Sequence, residues 1–158
     1  MLLSVWHTSW TVSDLDRSIR FYRDELGFEL VGTISRKGRF IETVVGFENA
    51  ELEIAFLRIP GAAALSNHHL ELIQYLAPVG ERLDLRTCNV GAAHLALATD
   101  DIHADHRRLS ARGVSFVSPP VRVETGPAAG SHACYLRDPD GFTIELVQPA
   151  SFATATAG

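Results

Sequence analysis

Lysine is almost absent from this chain. Of its 14 basic residues only Lys37 is a lysine, and 19 acidic residues outnumber them. A net charge of −5 gives no electrostatic drive toward a phosphate backbone, so nucleic acid is not an expected partner. Cysteine is scarce as well. Cys88 and Cys134 make neither a disulfide framework nor a CxxC pair, and both read as plain thiols. No apolar run approaches the length of a membrane span, so no membrane partner is expected. The opening Met-Leu-Leu-Ser-Val-Trp-His has no cationic segment of a secretory signal, and a cytoplasmic location is expected. Charged residues make up 21% and hydrophobic residues 46%, which excludes a disordered chain.

What is present is a repeat. His7 stands seven residues before Asp14, and His94 seven before Asp101. Each aspartate is followed by a helical stretch that closes near a glycine, Gly27 or Gly113. Each half ends on a similar segment, Glu71-Leu72-Ile73-Gln74 and Glu145-Leu146-Val147-Gln148. The separation from histidine to glutamate is 64 residues in the first half and 51 in the second. A long small-residue loop, Pro60 to Asn67, carries most of that difference and is expected to be either a mobile lid or a passive surface insertion. The chain therefore reads as a single domain over 1–150, with module 1 at about 1–77, a linker at 78–90 and module 2 at about 91–149. A flexible tail is expected over 151–158.

Strand and helix signals give the same plan in both halves. Residues 4–12 predict a strand, and Leu15, Ile19, Tyr22 and Leu26 fall on one helical face after the cap residues Ser13 and Asp14. Strands are expected over Phe28–Ile34, Ile41–Phe47, Leu52–Ile59 and Leu70–Leu76. In the second half they are expected over Ala92–Thr99, Val114–Val117, Val121–Glu124, Ala133–Leu136 and Phe142–Val147, with a helix after Asp100 or Asp101. The fold class is α+β, two tandem βαβββ modules with one additional strand in the first. The sheet is expected to curl into a cup around a metal site.

Alternation along the strands supplies the reason for a site. His94 lies opposite Leu95 and Leu97, Glu145 opposite Ile144 and Leu146, and Glu71 opposite Leu70 and Leu72. The leucine-rich faces suit a covering helix, so the His and Glu residues line the other surface. A carboxylate there is costly to desolvate unless paired or bound to metal, and two facing carboxylates repel. A divalent cation relieves both, and imidazole with carboxylate suits Zn, Ni, Co, Mn or Fe(II). The metal candidates are His7, Glu71, His94 and Glu145. Gln74 competes with Glu71 but points to the opposite face and matches Gln148. Trp10, Tyr75 and His132 are the candidate substrate-binding residues. His103 and His106 read as solvated helix residues.

These residues resemble the vicinal oxygen chelate superfamily, which contains glyoxalase I, methylmalonyl-CoA epimerase, extradiol dioxygenases and drug-resistance proteins. The matching pieces are His7 with Val12-Ser13-Asp14-Leu15-Asp16-Arg17-Ser18, Phe21-Tyr22, Leu26-Gly27-Phe28, Leu70-Glu71-Leu72, Gly91 with His94 and Asp100-Asp101-Ile102, and Asp138-Pro139-Asp140-Gly141-Phe142 with Ile144-Glu145-Leu146. The resemblance implies a metal on His7, Glu71, His94 and Glu145, which is the glyoxalase I pattern. It implies a lyase or isomerase that abstracts a proton next to a carbonyl, with Glu145 or Glu71 as the proton shuttle. The expected substrate is a small molecule with two adjacent oxygens, one divalent ion is the only cofactor, and the protein is expected to be a homodimer. Two further readings stand beside it: a dioxygenase holding Fe(II) or Mn(II) on His7, His94 and Glu145, and a non-catalytic binder of an antibiotic or other small aromatic.

Overall fold

A computed structural model describes residues 4–61 and 69–153. The chain divides into two compact units, Met1–Arg82 and Leu83–Gly158. Each unit holds one four-stranded mixed sheet with a helix packed on one face, and in the first unit a second helix on the other, an α+β arrangement. The expected lid or insertion, Pro60 to Asn67, falls mostly outside the described residues.

In the first unit, β1 (His7–Thr11) leads to α1 (Leu15–Arg20), which continues as a wider π-type turn over Phe21–Glu25. Then follow β2 (Glu29–Lys37), α2 (Arg39–Val45), β3 (Glu51–Arg58) and β4 (His69–Ala77). The sheet order is β1-β4-β3-β2, and only the β1–β4 pair is parallel. Asp14 caps α1 by accepting from the Arg17 N–H at 2.9 Å, and Gly27 takes the positive φ of 76° that ends the helical segment. Tyr22 is fully buried on the α1 face of the sheet, its ring against Trp10 at 5.8 Å and Phe28 at 5.8 Å.

In the second unit, β5 (His94–Ala98) leads to α3 (Ile102–Ala111), β6 (Val121–Arg122), β7 (His132–Arg137), β8 (Thr143–Gln148) and the short α4 (Ala150–Ala153). The order β5-β8-β7-β6 repeats that of the first unit, again with only its edge pair β5–β8 parallel. Asp101 caps α3, accepting from Ala104 N–H at 2.8 Å. Ile102 and Leu109 on α3 are buried, as are Cys134, Leu136, Ile144 and Leu146 of the sheet. Full burial of a side chain such as Leu136 or Ile144 contributes about 1.5–3 kcal/mol. The Asp138–Gly141 turn is held by Asp138 Oδ1, which accepts from the N–H groups of Asp140 and Phe142 at 2.9 and 2.7 Å.

The strand expected over Ile41–Phe47 is a helix instead. Ile41 and Val45, four residues apart, turn together onto a cluster formed by Ala50, Leu52 and Ile54, with Ile34, Phe56, Ile73 and Tyr75 around it. Gly38 opens this helix and Gly46 closes it in the left-handed conformation. The strand expected over Val114–Val117 contributes one bridge, Phe116 to Leu136, and that over Val121–Glu124 shortens to two residues. Of the tail, 151–153 lie in α4 and 154–158 fall outside the described residues. Among the described residues, no helix is long and apolar enough to cross a membrane.

Candidate metal centre in two equivalent halves

Each unit brings one histidine against one glutamate. His7 Nε2 lies 3.3 Å from Glu71 Oε2, and His94 Nε2 lies 3.2 Å from Glu145 Oε2. The two pairs are built the same way. In the parallel ladder Glu71 faces Ser9, two residues after His7, and Glu145 faces Ala96, two residues after His94. Since side chains two apart share a face, each imidazole reaches the carboxylate on the neighbouring strand. The ladders also end alike: Val12 N–H donates to Ile73 O at 2.8 Å and Thr99 N–H to Val147 O at 2.9 Å.

The repeated glutamine has a different task. Gln74 Oε1 accepts from Leu15 N–H at 2.8 Å, and Gln148 Oε1 accepts from Ile102 N–H at 3.1 Å. Both are the first helical N–H, which has no partner within its own helix. The glutamine therefore fastens the start of α1 or α3 to its own face of the sheet, opposite the glutamate. The repeat thus carries two functions on alternate faces: Glu toward the imidazole, Gln toward the helix.

The carboxylates are sheltered and the imidazoles are open. The Glu71 side chain is 11% exposed and that of Glu145 21%, against 38% for His7 and 44% for His94. A carboxylate this sheltered favours a cationic partner. The Glu145 charge is felt by Cys134 on the adjacent strand, where burial first and this carboxylate second push the thiol up to about 11. Among the described residues, no group of three or more His, Cys, Asp or Glu side chains forms a complete cation site, and each unit offers a pair.

The other expected site residues are placed unequally. Tyr75 shares the face of Glu71, within the apolar cluster that α2 covers, and its ring meets Phe47 edge-on at 6.3 Å. Trp10 does not share it. It pairs with Leu72, not with Glu71, and packs on Tyr22 beneath the helix. His132 also lies on the helix side, paired with Gln148 and 5.3 Å from the His103 ring. Both sit one residue out of phase with the His–Glu face.

That face carries residues missed from the sequence. Tyr135 pairs with Glu145, and its ring lies 5.6 Å from that of His94. Phe56 holds the same place beside Glu71. Arg137 pairs with Thr143, which in turn pairs with His94. A signal for them existed: Phe56-Leu57-Arg58 and Tyr135-Leu136-Arg137 repeat as aromatic-Leu-Arg.

Comparison with known proteins places these features in context. Residues 4–146 match the Glyoxalase/Bleomycin resistance protein/Dioxygenase superfamily. The chain is 31% identical over 149 residues to a 2-epi-5-epi-valiolone epimerase of an Actinomyces species, covering 92% of this chain and 79% of that protein. It is 30% identical over 147 residues to a probable lactoylglutathione lyase of Vibrio parahaemolyticus, covering 91% of this chain and 89% of the relative. Among solved structures, a glyoxalase family protein from Bacillus cereus superposes with a TM-score of 0.77 at 28% identity, over 94% of this chain and 95% of that one.

Proposed function

The chain belongs to the glyoxalase/bleomycin resistance protein/dioxygenase superfamily, and from that premise we propose that it is a divalent-metal-dependent lyase or isomerase of glyoxalase type. The reaction is proton transfer at a carbon next to a carbonyl, in a small substrate with two adjacent oxygens. One observation carries this reading: the same His–Glu pair recurs in the same register in both units. A lone His–Glu contact is a common structural feature; its duplication on the sheet face opposite α1 and α3 favours a ligand set. Relatives named as an epimerase and as a lactoylglutathione lyase support an enzyme over a passive binder.

The donor types that each unit offers, one imidazole nitrogen and one sheltered carboxylate, suit a divalent ion that would neutralise the carboxylate charge. His7, Glu71, His94 and Glu145 would hold it. When bound, such an ion supplies Lewis-acid polarisation of a carbonyl oxygen. The chain's own groups supply the rest. Glu145 takes the proton on a carboxylate oxygen and returns it, with Glu71 as its counterpart in the other unit. Tyr135 and the apolar cluster around Tyr75 present ring and aliphatic surface beside the carboxylates. The same reading includes a homodimer in the cytoplasm with no organic cofactor.

The test is deuterium incorporation from heavy water next to the carbonyl, followed by NMR over a panel of 2-oxoaldehyde hemithioacetals and 2-hydroxyketones. Metal-loaded wild type should catalyse exchange, and Glu145→Gln should slow it about 100- to 10,000-fold with the fold retained. Exchange by Glu145→Gln within a few-fold of wild type would move the base to Glu71. A wild type that exchanges none of the panel counts against the reaction class.

A further inference from the structure

We propose that Arg137 anchors an anionic group of the substrate, a carboxylate or a phosphate; the inference rests on the functional reading above. The strand register sets the argument. His94, Thr143 and Arg137 form one row across β5, β8 and β7, and Ala96, Glu145 and Tyr135 form the next. Directly paired residues share a face, so Arg137 belongs to the face of His94 and Glu145. Two strand spacings, about 10 Å, separate its backbone from that of His94. Its direct cross-strand neighbour is Thr143; Tyr135 stands two residues back on its own strand, and Glu145 is its diagonal neighbour on β8.

The first unit contains the same row, His7, His69 and, one step past the last matched pair, Arg58. The two arginines differ in what answers their charge. Arg58 pairs across the ladder with Glu29, and its Nε lies 2.9 Å from the Glu29 carboxylate. Beside Arg137 the corresponding neighbour is Ser115, whose carbonyl accepts the Arg137 backbone N–H at 2.9 Å. The Arg137 side chain meets only neutral acceptors among the described residues. Its Nη1 donates to Gly141 O at 3.3 Å and to Thr143 Oγ1. A guanidinium has five N–H donors in a planar fork, and this anchoring leaves Nε and Nη2 unengaged. So a half-buried cation, held in place by a turn and with no ion-pair partner among the described residues, stands two strands from a proposed metal ligand. An incoming carboxylate or phosphate supplies the missing countercharge. The bland alternative is a clamp that only secures the Asp138–Gly141 turn.

The experiment titrates the full chain, as isolated and after chelation, with inorganic phosphate, pyruvate and uncharged methyl pyruvate at low salt. Wild type, Arg137→Gln and Arg58→Gln are compared by calorimetry. Wild type should bind at least one of the two anions, and the stronger one identifies the group. Arg137→Gln should weaken it about tenfold or more. Arg58→Gln should leave it unchanged, and methyl pyruvate should not distinguish the three proteins. A second readout needs no folded variant: in wild type, the Arg137 Nε–H resonance should shift as the anion is added while that of Arg58 stays still. Equal anion affinity in wild type and Arg137→Gln, or an unmoved Arg137 resonance, overturns the proposal. Because the chelated protein is included, anion binding can succeed where metal loading or proton exchange fails, so the two readings fall separately.

Discussion

Gln148→Leu separates scaffold from site most sharply. The substitution keeps much of the side-chain volume and removes one acceptor, the Oε1 atom that takes the Ile102 N–H at 3.1 Å. Ile102 is fully buried and Gln148 is 8% exposed, so water has little access to replace the bond. A buried donor left without an acceptor costs about 1–3 kcal/mol. For a chain of 158 residues each kcal/mol moves the melting temperature by about 2–4 °C, giving an expected fall of about 2–12 °C. Gln74→Leu breaks the equivalent bond to Leu15, but that site is only part-buried, water can substitute, and the fall should be smaller. Scanning calorimetry measures both. Well below the transition, each variant should retain wild-type metal content, because the glutamine faces the helix and the glutamate faces the imidazole. An unchanged melting temperature for Gln148→Leu would refute the capping role. Metal loss in a folded variant would place the glutamine in the site.

Cys88 is exposed and Cys134 is buried, so a maleimide near neutral pH should label the first and spare the second until the protein unfolds. Cys134 is raised from its usual 9.0 to about 11, so the folded state holds its proton more tightly than the unfolded chain. Its contribution to stability is therefore complete below about pH 9 and is lost as pH rises through about 11, which urea titrations at rising pH would detect. Glu71→Gln, the mirror of the Glu145 variant, should also lower activity, and should lower metal affinity in the same assay, because its carboxylate is the more sheltered of the two.

Much of this was legible in the sequence, because the informative residues come in pairs. The Glu-to-Gln spacing of three fixes two faces of a strand, the His-to-Asp spacing joins a strand to its helix cap, and the register places both His–Glu pairs as alternation requires. The same alternation, counted from His7 through Ser9 and Thr11, puts Trp10 on the helix side. His132 needed the register of β7 against β8, which spacing alone does not supply. The segment from Ile41 misled for a physical reason. Ile41, Thr43 and Val45 alternate and are β-branched, yet Ile41 and Val45 are also one helical turn apart, and burial against Leu52 and Ile54 favours the helix. Arg137 was hidden because its meaning is a contrast. Only beside the pairing of Arg58 with Glu29 does it stand out that its counterpart meets neutral acceptors among the described residues.

The central proposal, that His7, Glu71, His94 and Glu145 hold a divalent ion, is tested most directly by elemental mass spectrometry. The full chain is purified without added metal, loaded with Zn, Ni, Co, Mn or Fe(II) in turn, and compared with His7→Ala and His94→Ala. Wild type should carry one divalent ion per set of His7, Glu71, His94 and Glu145. Either substitution should bring the metal down to background while the melting transition persists. Full metal occupancy in either folded variant, or a wild type that takes up none of the five ions, would contradict it.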